Sequence, residues 1–338
     1  MTGHTGFKGG WLTLWLLELG AKVHGLSLEP DTNPNLYEQL KLNRRVDKGF
    51  GDICDGTTVS DRISKIQPDV IFHLAAQSIV KKSYDLPHQT WNTNVMGTLN
   101  ILNAVRKLKK KCACVVITTD KVYENCESGI AYKEGNRLGG HDPYSASKAA
   151  VEILVSSWRR SYSTEGANFN VASARAGNVI GGGDWSEHRI IPDLYRAWAN
   201  NRQLVLRNPN SERPWQHVLE PLSGYLRLGE ALYKKKLVGN SYNFGPCASD
   251  VRTTKELIEE ISKHWSVFFR VEPDPTQKHE AKILRLDSER AKLDLNYSPR
   301  WSLARGVEAT ADWYKNYLSG EESVEDLTVR QITEFGLP

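Results

Sequence analysis

Three glycines spaced three apart, Gly3, Gly6 and Gly9, stand just ahead of the apolar run Trp11–Leu19. No other stretch restricts the fold as much. Glycines let backbone come close to a ligand. A helix behind them offers unpaired N–H groups and the positive end of its dipole. Gly20 is placed to end that helix. A loop of this kind seats a dinucleotide pyrophosphate when it joins a β-strand to a helix. The other reading is glycines in a flexible terminus, because only Met1 and Thr2 precede them.

The rest of the chain favours the phosphate loop. Ala21–Leu28, Pro68–Ala76, Cys112–Asp120 and Asn168–Gly181 read as strands. Thr90–Leu108 and Ser145–Tyr162 have helical spacing. Strands alternating with long helices predict an α/β fold with a doubly wound parallel sheet of Rossmann type. Beyond Gly181 the sequence turns rich in Gly, Pro, Arg and Trp, which predicts pocket-building loops. Lys255–Trp265 and Ser302–Tyr317 follow as amphipathic helices, and the tail after Gly320 is acidic, then weakly helical. No low-complexity linker separates the regions, so the second domain interleaves with the first. The expected division is residues 1–180, with a returning segment near 214–245, for the dinucleotide domain. Residues 181–213 and 246–338 form the smaller substrate domain.

Composition removes several classes of function. With 338 residues, 40% apolar and 25% charged, the chain reads as globular and soluble. The net charge of +4 is spread along it, and the run Arg106–Lys111 suits a solvated helix C-terminus. It has no aromatic platform beside it, so no nucleic-acid partner is expected. The five cysteines include no Cys-x-x-Cys, so neither a zinc site nor a disulfide framework is expected, and a reducing cytoplasm is. Trp11–Gly20 is too short to span a bilayer and has no cleavage signal, so no membrane association is expected. The ten tryptophans are read as core and pocket wall.

Two further motifs carry chemistry. Tyr144 and Lys148 in "YSASK" lie one helical turn apart on one face. An ammonium and a nicotinamide cation beside the phenol favour phenolate. Bringing its pKa from about 10 to about 7 takes roughly 4 kcal/mol. Such a phenolate takes a proton from a hydroxyl while hydride leaves the carbon. "TTDKVYEN" places Thr118, Thr119, Asp120 and Lys121 at the carboxyl edge of a strand, where ligands bind in open α/β sheets. Hydride transfer has no use for the extra Asp-Lys pair, whereas an elimination needs an acid and a base. The plainer alternative is a surface turn pair. Glu29, just past Ser27, is a weak acidic partner for a ribose, so the lean is to NAD over NADP. Asp52 is either an adenine contact or an ordinary turn aspartate.

At this point the residues resemble the extended short-chain dehydrogenase/reductase family, and within it the sugar-nucleotide 4,6-dehydratases. The resemblance rests on "GHTGFKGGWL", "LEPDTNPNLYE", "HLAAQS", "NTNVMGT", "TTDKVYEN", "YSASKAAVE", "RAGNVIGGGDW", "RIIPD", "RPWQHVLEPLSGYL" and "YNFGP". It covers nearly the whole chain. Members acting on dTDP-glucose usually carry Asp-Glu after the threonine, and Lys121 is similar to the variant found with CDP-glucose. The resemblance implies that Tyr144, aided by Lys148 and Thr119, removes the sugar 4-hydroxyl proton while hydride passes from C4 to NAD. Water then leaves across C5 and C6, with Asp120 as acid and Lys121 as base, and the hydride returns to C6. Gly3, Thr5, Gly6, Phe7, Gly9, Asp52, Ile53, Ala75, Ala76, Gln77 and Asn94 are implied around NAD, with Tyr144 and Lys148. Asn178, Arg189, Arg213, Trp215 and His217 are implied around a CDP-glucose substrate. For His217 a packed core histidine is the equal alternative. No metal is implied. A homodimer through Thr90–Leu108 and Ser145–Tyr162 is, and so is a role in supplying surface-polysaccharide sugars.

Two other functions stay open on sequence: a sugar-nucleotide epimerase, and a non-catalytic dinucleotide-binding protein. The resemblance also implies a central strand before the glycines, of which Met1-Thr2 is the last step. Lost pairing there costs about 1–3 kcal/mol per buried group, against a total stability of about 5–15 kcal/mol. The expectation is therefore a true start upstream, with Met1 inside the strand.

Overall fold

The computed structural model describes residues 1–47, 49–163, 166–234, 241–272 and 281–337. Parts of the two expected domains, residues 235–240, 273–280 and 338, lie outside the described residues. Four parallel strands run in the order β1 (Val70–His73), β2 (Cys112–Ile117), β3 (Phe169–Ala176) and β4 (Ser241–Phe244). Every residue of β2 is buried, as suits an apolar strand covered on both faces. His73 pairs with Val116, and Ile117 with Ala174. The strand ends therefore lie nearly level, and residues 74–77, 118–121 and 177–178 leave the sheet along one edge.

Beyond β1 the sheet continues through single bridges. Thr2 pairs with both His73 and Leu26, and His24 and Ser27 pair with Asp47 and Phe50. The predicted strand Ala21–Leu28 is thus extended chain joined by single bridges, with Met1–Gly3 as its inner neighbour. Over that length the pairing is two-sided. The Leu26 N–H donates to Met1 O at 2.9 Å and the Gly3 N–H to Leu26 O at 3.0 Å. On the other side the Thr2 N–H donates to Phe72 O at 3.0 Å and the Leu74 N–H to Thr2 O at 3.3 Å. The resulting strand order reverses beside Thr2, which is the switch point of a doubly wound sheet.

Helix α1 (Phe7–Glu18) starts four residues before the predicted Trp11, directly from Gly6, and buries Trp11, Leu12, Leu14 and Trp15. The predicted helix Thr90–Leu108 is instead three pieces. A short helix, Pro87–Trp91, runs into a π-helical turn, Asn92–Met96, and then into α2 (Gly97–Val105). The wider turn directs Asn94 into the interior, where it is 1% exposed. α3 (Pro143–Tyr162) opens with Pro at its first position and Asp142 accepting from the Ser145 N–H.

The region read as loops after Gly181 contains a helix, Ile190–Ala199. Its Pro192 sits in the first turn, where a missing N–H costs nothing. Around it the tryptophans form core rather than pocket wall. Trp185 stands 5.4 Å from Tyr195 and from Tyr314, and Trp198 stacks on Trp265 at 5.1 Å. α4 (Leu219–Tyr233) covers the sheet, and α5 (Leu303–Ser319) packs on this aromatic cluster. The tail forms α6 (Val324–Phe335), whose Phe335 meets Trp15 of α1 edge-on at 5.7 Å. The Trp11 indole donates to Gly182 O at 2.9 Å, and a Cβ on Gly182 would fall 1.9 Å from the Trp313 ring. These contacts interleave the regions. No helix among the described residues is long and apolar enough to cross a membrane.

Three buried histidines, His4, His73 and His217, set a pH limit. His73 lies between the Thr2 hydroxyl at 2.7 Å and the Thr98 hydroxyl at 2.9 Å, and burial, helped by Lys148, lowers its pKa to about 3. Burial, helped by Arg305, does the same to His217, and burial lowers His4 to about 4. All three stay neutral when folded but take up protons in the unfolded chain below about pH 6.5. Stability is therefore expected to fall as pH drops from about 6.5 towards 3, by up to about 1.4 kcal/mol per pH unit for each histidine. Urea unfolding across that range checks this. His217→Leu should remove one of the three contributions, and an unchanged slope would contradict the assignment.

Candidate active site

The glycine loop is shaped by what it lacks. Gly3 has φ +72°, and a Cβ there would lie 2.7 Å from the Ala75 nitrogen. A Cβ on Gly9 would fall 1.9 Å from Gly3 O. The loop thus folds flat against both the residues after β1 and the start of α1. Gly6 is the N-cap and no side chain caps the helix, so the first-turn N–H groups face the crevice. This is a cradle for a phosphate group held by backbone. The Thr5 hydroxyl bonds Ser27 Oγ at 2.7 Å and Leu28 O at 3.0 Å, fixing the loop to the second strand's end. Phe7 is buried behind it.

The opposite wall is tied together by Asn94. Its side chain accepts from the Gln77 N–H at 2.9 Å, and donates to Gln77 O at 3.1 Å and Ser147 Oγ at 2.9 Å. The segment Ala75–Gln77 is thereby bound to α3, and the Ala75 N–H reaches Thr2 Oγ1 at 3.2 Å. Ile53 is buried against Gly97. Asp52 accepts from the Cys54 N–H at 2.9 Å, the bond of a turn aspartate.

At the end of β2 the Thr119 side chain accepts from the Lys121 N–H at 3.4 Å and caps a 3-10 turn, Asp120–Val122. The turn brings Asp120 and Lys121 inward. Asp120 is 1% exposed, and Thr119 donates to its Oδ1 at 3.0 Å. Its Oδ2 and the Lys121 Nζ are buried without a protein hydrogen-bond partner among the described residues. The pair is therefore not the surface turn of the plainer reading. Tyr144 and Lys148 lie buried on α3. Burial pushes the Tyr144 phenol up to about 12, offset in part by a hydrogen bond with Thr119. Burial lowers Lys148 to about 8, against the pull of Glu152, and its ammonium donates to Ile117 O at 3.1 Å.

The five expected substrate residues separate. Arg189 donates to Asp184 at 3.0 Å and to Ser78 Oγ at 3.1 Å, across the crevice mouth. The Asn178 carbonyl accepts from the Gln216 N–H at 3.1 Å, between β3 and the chain that returns beside it. Pro214 packs next to Asp120: a Cβ on Gly177 would lie 2.5 Å from Pro214 Cγ and 3.1 Å from Asp120 Oδ2. Arg213 donates to the carbonyls of Glu212 and Lys282, and Trp215 donates to Arg252 O at 3.1 Å. His217 stands 5.6 Å from Trp11 and 4.9 Å from Trp301, which is the packed alternative.

Two residues went unnoticed in the sequence. Lys8, in the first turn of α1, reaches to 6.0 Å from the Tyr225 ring. Its pKa is lowered to about 8 by burial, then by Arg189 and Lys148, while Asp120 and Asp184 oppose. Its signal was a cation inside "GFKGG", next to glycines that claimed attention first. The Tyr225 hydroxyl is buried without a partner among the described residues, and burial, with Tyr144 and Asp120, raises its pKa. The site thus holds cations from α1, the β2 turn, α3 and residue 189 around two buried carboxylates, Asp120 and Asp184. Among the described residues no cluster of His, Cys, Asp and Glu is arranged to hold a metal.

A glycine loop at the switch point of a doubly wound sheet marks a dinucleotide-binding α/β protein, and sequence comparison gives the family. Residues 1–310 match the model of the GDP-mannose 4,6 dehydratase family, and the chain belongs to that family. It is 42% identical to CDP-glucose 4,6-dehydratase of Salmonella typhimurium, over 99% of this chain and 95% of that one. Among solved structures, a UDP-glucose-4-epimerase from Stenotrophomonas maltophila with bound NAD and formylated UDP-arabinopyranose superposes with a TM-score of 0.80. It is 19% identical, over 94% of this chain and 98% of that one. A dTDP-glucose 4,6-dehydratase from Bacillus anthracis in complex with NAD gives 0.77 at 20% identity, over 94% and 96%. These two likenesses concern the fold.

The Tyr144 environment gives a direct test. Moving a phenol from about 12 to about 7 needs about 7 kcal/mol, more than the sequence-based figure. The chain alone does not supply it, so Tyr144 stays a phenol at neutral pH until another cation arrives. Ultraviolet difference titration of the chain without ligands, against Tyr144→Phe, is expected to show no phenolate from this residue below about pH 10. A transition near neutrality would contradict the burial argument.

Proposed function

We propose that the chain dehydrates CDP-glucose to CDP-4-keto-6-deoxyglucose and water, with NAD regenerated in each turnover. The observation that carries this reading is the pair Asp120 Oδ2 and Lys121 Nζ, both buried and unpartnered beside Thr119, Tyr144 and Lys148. A redox site needs only the last three. The kinship with a CDP-glucose 4,6-dehydratase supports the substrate.

The loop Gly3, Thr5, Gly6, Phe7, Gly9 would hold the NAD pyrophosphate, with Asp52 and Ile53 available to its adenine end and Ala75, Ala76, Gln77 and Asn94 to its nicotinamide end. NAD, when bound, supplies the reversible hydride acceptor and the cation that Tyr144 needs. Tyr144 then takes the 4-hydroxyl proton, Lys148 holds positive charge beneath it, and Thr119 hydrogen-bonds it. With C4 a ketone, the C5 proton is acidic; Lys121 takes it and, once C6 has been reduced, gives a solvent-exchanged proton back to C5. Asp120 protonates the 6-oxygen as it leaves as water. Asn178, Arg189, Arg213 and Trp215 hold the nucleotide diphosphate, and we assign His217 to the core. Residues 1–180 with 214–245 form the NAD domain, and 181–213 with 246–338 the sugar-nucleotide domain. The enzyme works as a cytoplasmic homodimer and supplies deoxysugars for surface polysaccharide. Epimerisation at C4 requires no acid at C6, so a buried Asp120 disfavours it.

Mass analysis after incubation with CDP-glucose, with and without added NAD, tests the reading. The expected product is one water lighter, and dTDP-glucose and GDP-mannose serve as comparisons. Asp120→Asn should lower kcat by about 10²–10⁴. A folded chain with NAD added that leaves CDP-glucose intact would overturn the proposal.

A further inference from the structure

One buried charged group plays no part in the chemistry above. Glu152 lies on α3 one turn beyond Lys148 and is 4% exposed. Its carboxylate accepts from the Thr118 hydroxyl at 2.5 Å, the Ser173 hydroxyl at 2.7 Å and the Arg175 guanidinium at 2.6 Å. Thr118 stands one residue before Thr119, the cap of the Asp120–Val122 turn. Arg175 in turn donates to the Tyr123 hydroxyl at 2.9 Å and to Glu134 O at 3.2 Å. Tyr123 is the first residue after the turn, and its hydroxyl also donates to Asn243 at 2.7 Å. The turn that bears Asp120 and Lys121 is therefore held on both flanks by one carboxylate, at Thr118 directly and at Tyr123 through Arg175. Lys148 holds the same strand end one residue earlier, at Ile117 O.

We propose that Glu152 is a positioning residue for this site. Its carboxylate locks the β2 turn to the helix that carries Tyr144 and Lys148, and stands one turn from Lys148 as its negative counterpart. The physical case has two parts. A buried carboxylate that lost its partners, or a buried arginine that lost this carboxylate, would be an uncompensated charge. The cluster is therefore either fully formed or disrupted, which makes it a rigid link. Second, the groups that face Glu152 from the packed elements are Lys148 and Arg159 on α3, Thr118 on β2, Ser173 and Arg175 on β3, and Tyr123 after the turn. Among these Glu152 is the acid that raises Lys148 against burial. The nearby Glu134 side chain is engaged elsewhere, by the Asn243 N–H at 2.9 Å and by Arg290.

The kinetic half of the test rests on the dehydratase reading, and the titration half does not. In the full-length chain, NMR of isotope-labelled lysine, assigned with Lys148→Met, follows the Lys148 ammonium without substrate. Glu152→Gln should lower that midpoint by about one pH unit, and Thr118→Val should leave it in place. With CDP-glucose, both variants should lower kcat about tenfold or more with KM nearly unchanged. Glu152→Gln should also move the alkaline limb of the pH profile down, because the ammonium is lost at lower pH. Thr118→Ser should restore the rate. A folded Glu152→Gln chain with unaltered Lys148 titration and unaltered kcat would overturn the proposal. If Glu152→Gln does not fold, the Thr118 pair decides: loss in Val with rescue in Ser supports it, and no loss in Val overturns it. A wild-type chain that leaves CDP-glucose intact would fail the substrate reading alone, since the titration still judges Glu152.

Discussion

The two-sided pairing of Met1–Gly3 joins the halves of the sheet. Bonds to Leu26 on one side and to Phe72 and Leu74 on the other hold the chain at the point where the strand order reverses. The Thr2 hydroxyl adds contacts to His73 and to the Ala75 N–H. The glycine loop begins one residue later, so its position relative to β1 is set by these few bonds. Everything that faces the crevice inherits that placement: the open N-terminus of α1, the Ala75–Gln77 wall and, through Asn94 and Ser147, the head of α3.

The chemistry of the site follows from burial acting on unlike groups. Burial, the largest cause in each case, raises Tyr144 to about 12 and lowers Lys148 and Lys8 to about 8. Each move disfavours charge. A crevice so arranged is poised for a ligand that brings charge with it, a diphosphate for the lysines and a cation for the phenol. At neutral pH the two lysines still carry most of their charge, whereas the phenol stays neutral until a further cation reaches it. This separates a dehydratase crevice from a surface cluster of the same residue types, where solvent would leave the groups near their ordinary values.

Much of this was legible in the sequence because the relevant signals are local. The glycine spacing, the β-branched run of β2 and the Tyr144-Lys148 turn each depend on neighbours a few residues away. The features that were not legible depend on distant partners. Residues 21–28 look like a full strand from their own pattern, but which of them pair is decided by segments distant in sequence. The π turn at Asn92–Met96 exists because Asn94 is bonded inward to Gln77 and Ser147, which periodicity cannot report. The helix Ile190–Ala199 was hidden by Gly, Pro and Trp around it, and those tryptophans became core through packing on α5. His217 reads equally as ligand contact or filler until Trp11 and Trp301 are seen on either side.

The account centres on a division of labour at the β2 turn, with Lys121 as base at C5 and Asp120 as acid at C6. The most direct measurement is deuterium uptake at C5 from heavy water, compared between the wild-type chain and Lys121→Ala with CDP-glucose as substrate. The account predicts that the wild-type product carries deuterium at C5. It also predicts that Lys121→Ala, while still able to oxidise C4, incorporates almost none. Normal uptake at C5 in the alanine variant would contradict it and send the base elsewhere in the crevice.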